Sequence, residues 1–187
     1  MYSKDIANAV IEYLKEKEWN YKFDEQTGVI KTGIQLDEKI NSCTLHIFIH
    51  DHYVINYGII ELSVDEKNRI LISEFLTRAN YGLIWGNFEM DFNDGEIRYK
   101  STLGCDGFIP TNELIDRMVM TPAFVFKRYA DGLVKVLFGL STPKDAVEEC
   151  EKNSKLEWYI SLSVSIGTTY SLFYDVKDAI YINRDTF

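Results

Sequence analysis

Apolar residues in the first twenty positions recur at helical spacing. Ile6, Val10, Tyr13 and Leu14 follow Ser3, whose hydroxyl suits a helix N-terminus, and the pattern predicts a helix ending near Trp19. From Tyr21 the period changes to two. Tyr21 and Phe23 alternate before a turn at Gln26-Thr27-Gly28, Ile30, Thr32, Ile34 and Leu36 make the next row, and Cys43, Leu45, Ile47 and Ile49 make a third. His50-Asp51-His52 reads as a polar turn into Tyr53 to Leu62, which is apolar on both faces and therefore predicted to be a central strand. Strands this short and closely joined predict an antiparallel meander.

The helical period then returns. Ser63-Val64-Asp65-Glu66 has the spacing of a capping box, and Ile72, Phe75, Leu76 and Ala79 form one stripe behind it. Phe88, Met90 and Phe92 are answered by Ile97, Tyr99 and Leu103 around Asn93-Asp94-Gly95, a hairpin whose turn needs a positive φ at its glycine. Glu89 and Asp91 are expected opposite Arg98 and Lys100 on its outer face. Thr111 opens a short helix, and Thr121-Pro122 reads as the cap and first residue of another that runs to Phe138 and stops at Gly139. Thr142-Pro143 starts a last helix with Ala146, Val147 and Cys150. Beyond Asn153 alternation reappears: serines 161, 163 and 165 separate Ile160, Leu162, Val164 and Ile166, predicting a strand over Trp158–Ile166 and a hairpin around Gly167-Thr168-Thr169.

The expected fold class is therefore α+β, an antiparallel β-sheet packed against helices in the order α-β-β-β-β-α-β-β-α with a C-terminal β extension. One domain spans 1–153, and 154–187 is an extension packing on that domain or on a partner. The 187 residues, 46% of them hydrophobic, suffice for one core without disulfide or metal. With 29 acidic against 20 basic residues the formal charge is −9, which disfavours a nucleic-acid backbone as partner. Cys43, Cys105 and Cys150 are widely spaced and predict free thiols in a reducing compartment. The chain starts directly in a helical pattern with no secretory signature, and its longest uncharged stretch alternates with serine, so the expectation is a soluble cytoplasmic protein without a membrane span.

Candidate chemistry is sparse. His46 and His50 sit about 13 Å apart along one strand, too far to share an ion. His50 and His52 with Asp51 would chelate a metal if extended, but a polar turn explains them better. Glu148, Glu149 and Glu151 read as a solvated helix face, and Ser165 to Thr169 lacks the spacing of a phosphate loop. Trp85, Phe88, Arg78 and Tyr81 resemble a base-stacking platform, although core or protein contacts suit an acidic chain better. No catalytic residue, cofactor or metal site is assigned.

Three segments carry a family resemblance. They are Phe75-Leu76-Thr77-Arg78-Ala79-Asn80-Tyr81-Gly82-Leu83, then Gly86-Asn87-Phe88-Glu89-Met90-Asp91 with Asp94-Gly95-Glu96-Ile97-Arg98-Tyr99, and then Tyr129-Ala130-Asp131-Gly132-Leu133 with Ser141-Thr142-Pro143-Lys144-Asp145-Ala146. Together with Tyr13-Leu14 and Trp19-Asn20-Tyr21 they resemble the YbjN family, with its type III secretion chaperone-like fold, over residues 1–152. Thr77 stands where that family's motif has asparagine. The resemblance implies a non-enzymatic sensory or stress-regulatory protein, or a chaperone-like adaptor that binds polypeptides as a dimer.

The apolar stripe of 122–138 is wider than one sheet contact needs. Phe126, Tyr129 and Leu133, with Trp158, Ile160 and Leu162 of the extension, are thus the expected protein-interface residues, toward a partner protein or a second copy. The alternatives are a sensor holding a small apolar molecule between sheet and helices, or a metal-dependent enzyme using His50 and His52.

Overall fold

Helix α1 (Lys4–Glu16) begins where Ser3 accepts a hydrogen bond from the Ile6 amide at 3.3 Å, and it buries Ile6, Ala7, Val10, Tyr13 and Leu14. The structure, a computed structural model, describes residues 1–36 and 40–161, the backbone alone from 153 onward. Four strands follow: β1 (Lys22–Asp24), β2 (Val29–Gln35), β3 (Ser42–Ile49) and β4 (Tyr53–Ser63). Helix α2 (Arg69–Asn80), the hairpin β5 (Asn87–Met90) and β6 (Glu96–Gly104), and helices α3 (Asn112–Leu137) and α4 (Pro143–Ser161) complete the chain. The strands form one antiparallel sheet in the order β1-β2-β3-β4-β6-β5, so β4 is central as its two apolar faces predict. The α+β class and its helix–meander–helix–hairpin–helix order follow the sequence pattern.

Register puts the predicted apolar rows of β2, β3 and β6 on one face. Ile30, Ile47, Asn56 and Ser101 align across four strands, as do Thr32, Leu45, Gly58 and Tyr99. Cys43, Leu45, Ile47, Val54, Ile97 and Tyr99 are fully buried on that face. α3 lies over its centre, α1 packs beside α3, and α2 and α4 close the β5 end. Asn80 ties the end of α2 to the sheet: its amide accepts from the Phe88 N–H at 2.7 Å and donates to the Phe88 carbonyl at 3.0 Å.

Three local expectations are corrected. The helix expected over Pro122–Phe138, capped by Thr121, does not start at Pro122. A single helix of 26 residues runs through Pro122, and the sheet makes this possible. Proline offers no N–H to the carbonyl four residues earlier, that of Met118. Ser101 Oγ donates to that carbonyl at 2.8 Å and Asn56 Nδ2 at 3.1 Å, both side chains being buried on β6 and β4. Gly58 leaves room for the Pro122 ring, which a Cβ there would overlap. Pro122 is thus a docking point, and the carbonyl it leaves free is satisfied by the strands beneath.

The capping box is also absent. Ser63 is the last residue of β4, and its hydroxyl donates to the Asp94 carbonyl. Gly95, at φ +78°, presses so closely on Val64 that a side chain there would overlap it, and α2 begins after a short 3₁₀ turn at Glu66–Asn68. Tertiary contact with the hairpin turn overrides the local capping signal. Finally, α4 continues through Ser161, so Trp158 and Ile160 lie on helical backbone where alternation predicts a strand. Extending a formed helix costs less than starting a new element, and the run from Lys144 to Lys155 favours helix. The remainder of the predicted hairpin, from Leu162 onward, lies outside the described residues.

Candidate functional site

The expected interface stripe is core. Phe126, Tyr129 and Leu133 are 1%, 1% and 2% exposed. Phe88 packs edge-on against Phe126 and Tyr129, at ring distances of 5.5 and 5.8 Å, and Phe75 meets Tyr129 from α2. α4 closes the other side: Gly132 lies so near Cys150 Sγ, Phe75 and the Ala146 carbonyl that a side chain there has no space. The stripe is wide because the sheet, α2 and α4 all pack on it. Side chains of Trp158 and Ile160 are beyond the described side chains, and Leu162 is beyond the described residues.

The other candidates disperse. His50 stacks on Tyr53 with rings 4.3 Å apart and closes the predicted turn through its backbone N–H to the Tyr53 carbonyl. His52 lies 3.8 Å from Asp106 and both are open to solvent. Among the described residues, no three His, Cys, Asp or Glu side chains gather around one point. Glu149 pairs with Lys135 at 2.7 Å, and Glu148 lies near Lys144 and Lys152. The base-stacking platform does not assemble: Phe88 faces the core, Arg78 pairs with Glu74, and Trp85 lies under the Arg117 guanidinium at 4.8 Å. All three cysteines are buried and free. Burial pushes the Cys43 thiol up to about 12 and raises Cys105 and Cys150 as well, which disfavours the reactive thiolate at neutral pH. Two open grooves mark the surface, one at the β5–β6 turn and one between the end of α1 and β2, beside Trp19 and Gly33.

What does assemble is the opposite side of the sheet. Phe48, Ile55, Tyr57 and Ile59 alternate with the buried rows of β3 and β4, and each keeps part of its surface open. Phe48 and Tyr57 meet edge-to-face with ring centroids 5.7 Å apart. No helix of the described residues packs on this face. A row of polar residues crosses it in register, Lys31 to His46 to Tyr57 to Lys100. Arg98 lies over the Tyr57 ring at 4.3 Å and bonds Glu89 at 2.8 Å, while Lys100 bonds the other Glu89 oxygen. Burial raises Glu89, but the hydrogen bonds from Lys100 and Arg98 outweigh it and hold the carboxyl below its ordinary range. Glu89 therefore takes both cations. Asp91, expected with Glu89 to face Arg98 and Lys100, instead accepts from the backbone and side chain of Asn93 in the turn. Burial, with the Lys31 charge, lowers His46 below the ordinary imidazole value against a smaller pull from Glu96.

The result is an apolar patch flanked by cations on a chain of net charge −9. Its signal in the sequence is the second apolar row of β4, a pattern that by itself marks only a central strand.

No family model matches the chain, and no curated protein matches it. Among the described residues no helix is long and apolar enough to cross a membrane.

Proposed function

We propose that this chain is a non-enzymatic protein-interaction module, a chaperone-like adaptor or regulator of the YbjN type, that receives a polypeptide on the open face of its sheet. The observation that carries the reading is the contiguous row of Phe48, Ile55, Tyr57 and Ile59 on a face that no described helix covers. Large apolar side chains grouped on an exposed face and rimmed by charge are the usual make-up of a protein-contact surface. The aromatic pair with an arginine stacked on it has the residue types enriched at binding hot spots. A cytoplasmic setting agrees with the three free thiols. The partner is another protein or a second copy of this chain.

A photo-crosslinking side chain at position 57, in the full chain expressed in cells, tests this. A control at Ile70, 70% exposed on α2, reports collisional crosslinks. The expected result is a discrete crosslinked polypeptide at 57 and none at 70. Adducts alike at both positions, or none at 57, would overturn the reading. A crosslinked product of twice the chain mass would identify the partner as a second copy.

A further inference from the structure

From the layout of the open face we infer that its occupant is an extended acidic segment, with two carboxylates flanking an apolar side chain that rests on Tyr57. This deepens the interaction-module reading and rests on it. Lys31 and Lys100 stand at the two ends of one register row, with His46 and Tyr57 between them. Three strand spacings separate the two lysines, about 14 Å. Residues i and i+4 of an extended chain are about 13 Å apart and project to the same side, with i+2 midway between them. Carboxylates at i and i+4 would meet Lys31 and Lys100, and an apolar residue at i+2 would sit beside the Phe48–Tyr57 pair.

Charge selects this chemistry over a second copy. A two-fold axis parallel to the strands and between β3 and β4 would bring Lys31 of one copy over Lys100 of the other. A two-fold axis across the strands at the Tyr57 row would bring each lysine over its own counterpart. Both set lysine against lysine at the ends of the row, a like-charge contact on either side of the apolar patch. Arg98 and Lys100 share Glu89, Lys31 has Lys22 opposite it on β1 and Asp24 within electrostatic reach, and Glu61 and Glu96 lie beyond Arg98 along their strands. At His46, midway along the Lys31–Lys100 row, the Lys31 charge outweighs that of Glu96.

The test uses the full chain and two fifteen-residue peptides sharing the same alternating leucine and tryptophan positions, one with glutamate and one with lysine at the flanking sites. Binding is read by fluorescence anisotropy. The glutamate peptide is expected to bind about tenfold more tightly than the lysine peptide at low salt, the sum of two exposed ion pairs, and to lose that margin as salt screens them. Lys31→Glu, and separately Lys100→Gln with its fold checked by circular dichroism, should each remove much of the preference. Lys31→Glu keeps the test decisive if the loss of the Glu89 contact disturbs the other variant. Equal binding of both peptides, tighter binding of the lysine peptide, or a preference unmoved by Lys31→Glu would overturn the acidic occupant while the crosslink at position 57 still stands. No binding of either peptide overturns it too. The crosslinking result then decides separately whether the interaction reading survives.

Discussion

The two faces of this sheet are made from the same strands yet do different work. On the covered face, side chains interlock with helices: Ser101 and Asn56 hold the Met118 carbonyl that Pro122 leaves free, Gly58 makes room for the proline ring, and Phe88 stacks into Phe126 and Tyr129. On the open face, Phe48 meets Tyr57, Arg98 lies over the Tyr57 ring, and Ile55 and Ile59 flank them on β4 with no described helix packed above. Apolar content does not separate the faces, since β3 and β4 carry large apolar residues on both. What separates them is the presence of polar groups and glycines shaped to receive a particular partner element. Where those are built in, the partner is the chain's own helix. Where they are missing, no described helix covers the apolar side chains, and the proposed partner would dock there.

Substitutions sharpen this contrast. The largest effect belongs to the covered face: Phe126→Ala should cost about 3–5 kcal/mol in chemical unfolding, because its buried ring leaves a cavity between β5 and α3. Gly58→Ala should cost about 1–3 kcal/mol, since the new methyl displaces the Pro122 ring. Asn56→Ala should also cost about 1–3 kcal/mol by removing one donor from the Met118 carbonyl. In a Pro122→Ala background that cost should shrink by about 1 kcal/mol, because residue 122 regains an N–H for the same carbonyl. An additive double-mutant cycle would break the assignment of Asn56 as the proline's compensating donor. The smallest effect is on the open face and follows pH. His46 has a lowered pKa, so the stability gained from holding it neutral is complete above its ordinary value of 6.5 and is lost as pH falls through the depressed one. His46→Gln should flatten the melting-temperature profile below that pH and leave it unchanged above.

The meander, the hairpin and each buried row were legible in the sequence because alternation and turn residues act locally. Asn93-Asp94-Gly95 and the row Cys43, Leu45, Ile47, Ile49 are examples. What was not legible depends on a contact between distant residues. Pro122 reads as a helix start unless one knows that Asn56 and Ser101 lie beneath it, 66 and 21 positions away in the chain. Ser63 and Glu66 read as a capping box unless the Asp94–Gly95 turn is seen against them. The breadth of the α3 stripe was visible, but periodicity counts apolar positions and does not say what covers them. Periodicity alone therefore points the stripe at Phe126, Tyr129 and Leu133 toward another chain, whereas the sheet, α2 and α4 bury it. The open face was missed for the complementary reason: the apolar positions of β4 outside the buried row signalled a central strand, and nothing local shows which side the helices take.

The contrast between the faces is tested most directly by thermal unfolding of Tyr57→Ser beside Phe126→Ala in the full chain. For a domain of this size, 1 kcal/mol shifts the midpoint by roughly 2–4 °C. A fall within about 4 °C for Tyr57→Ser, against roughly 6–20 °C for Phe126→Ala, is the predicted result. An equal fall in both would place Tyr57 in the chain's own core and leave the proposed partner no face to bind.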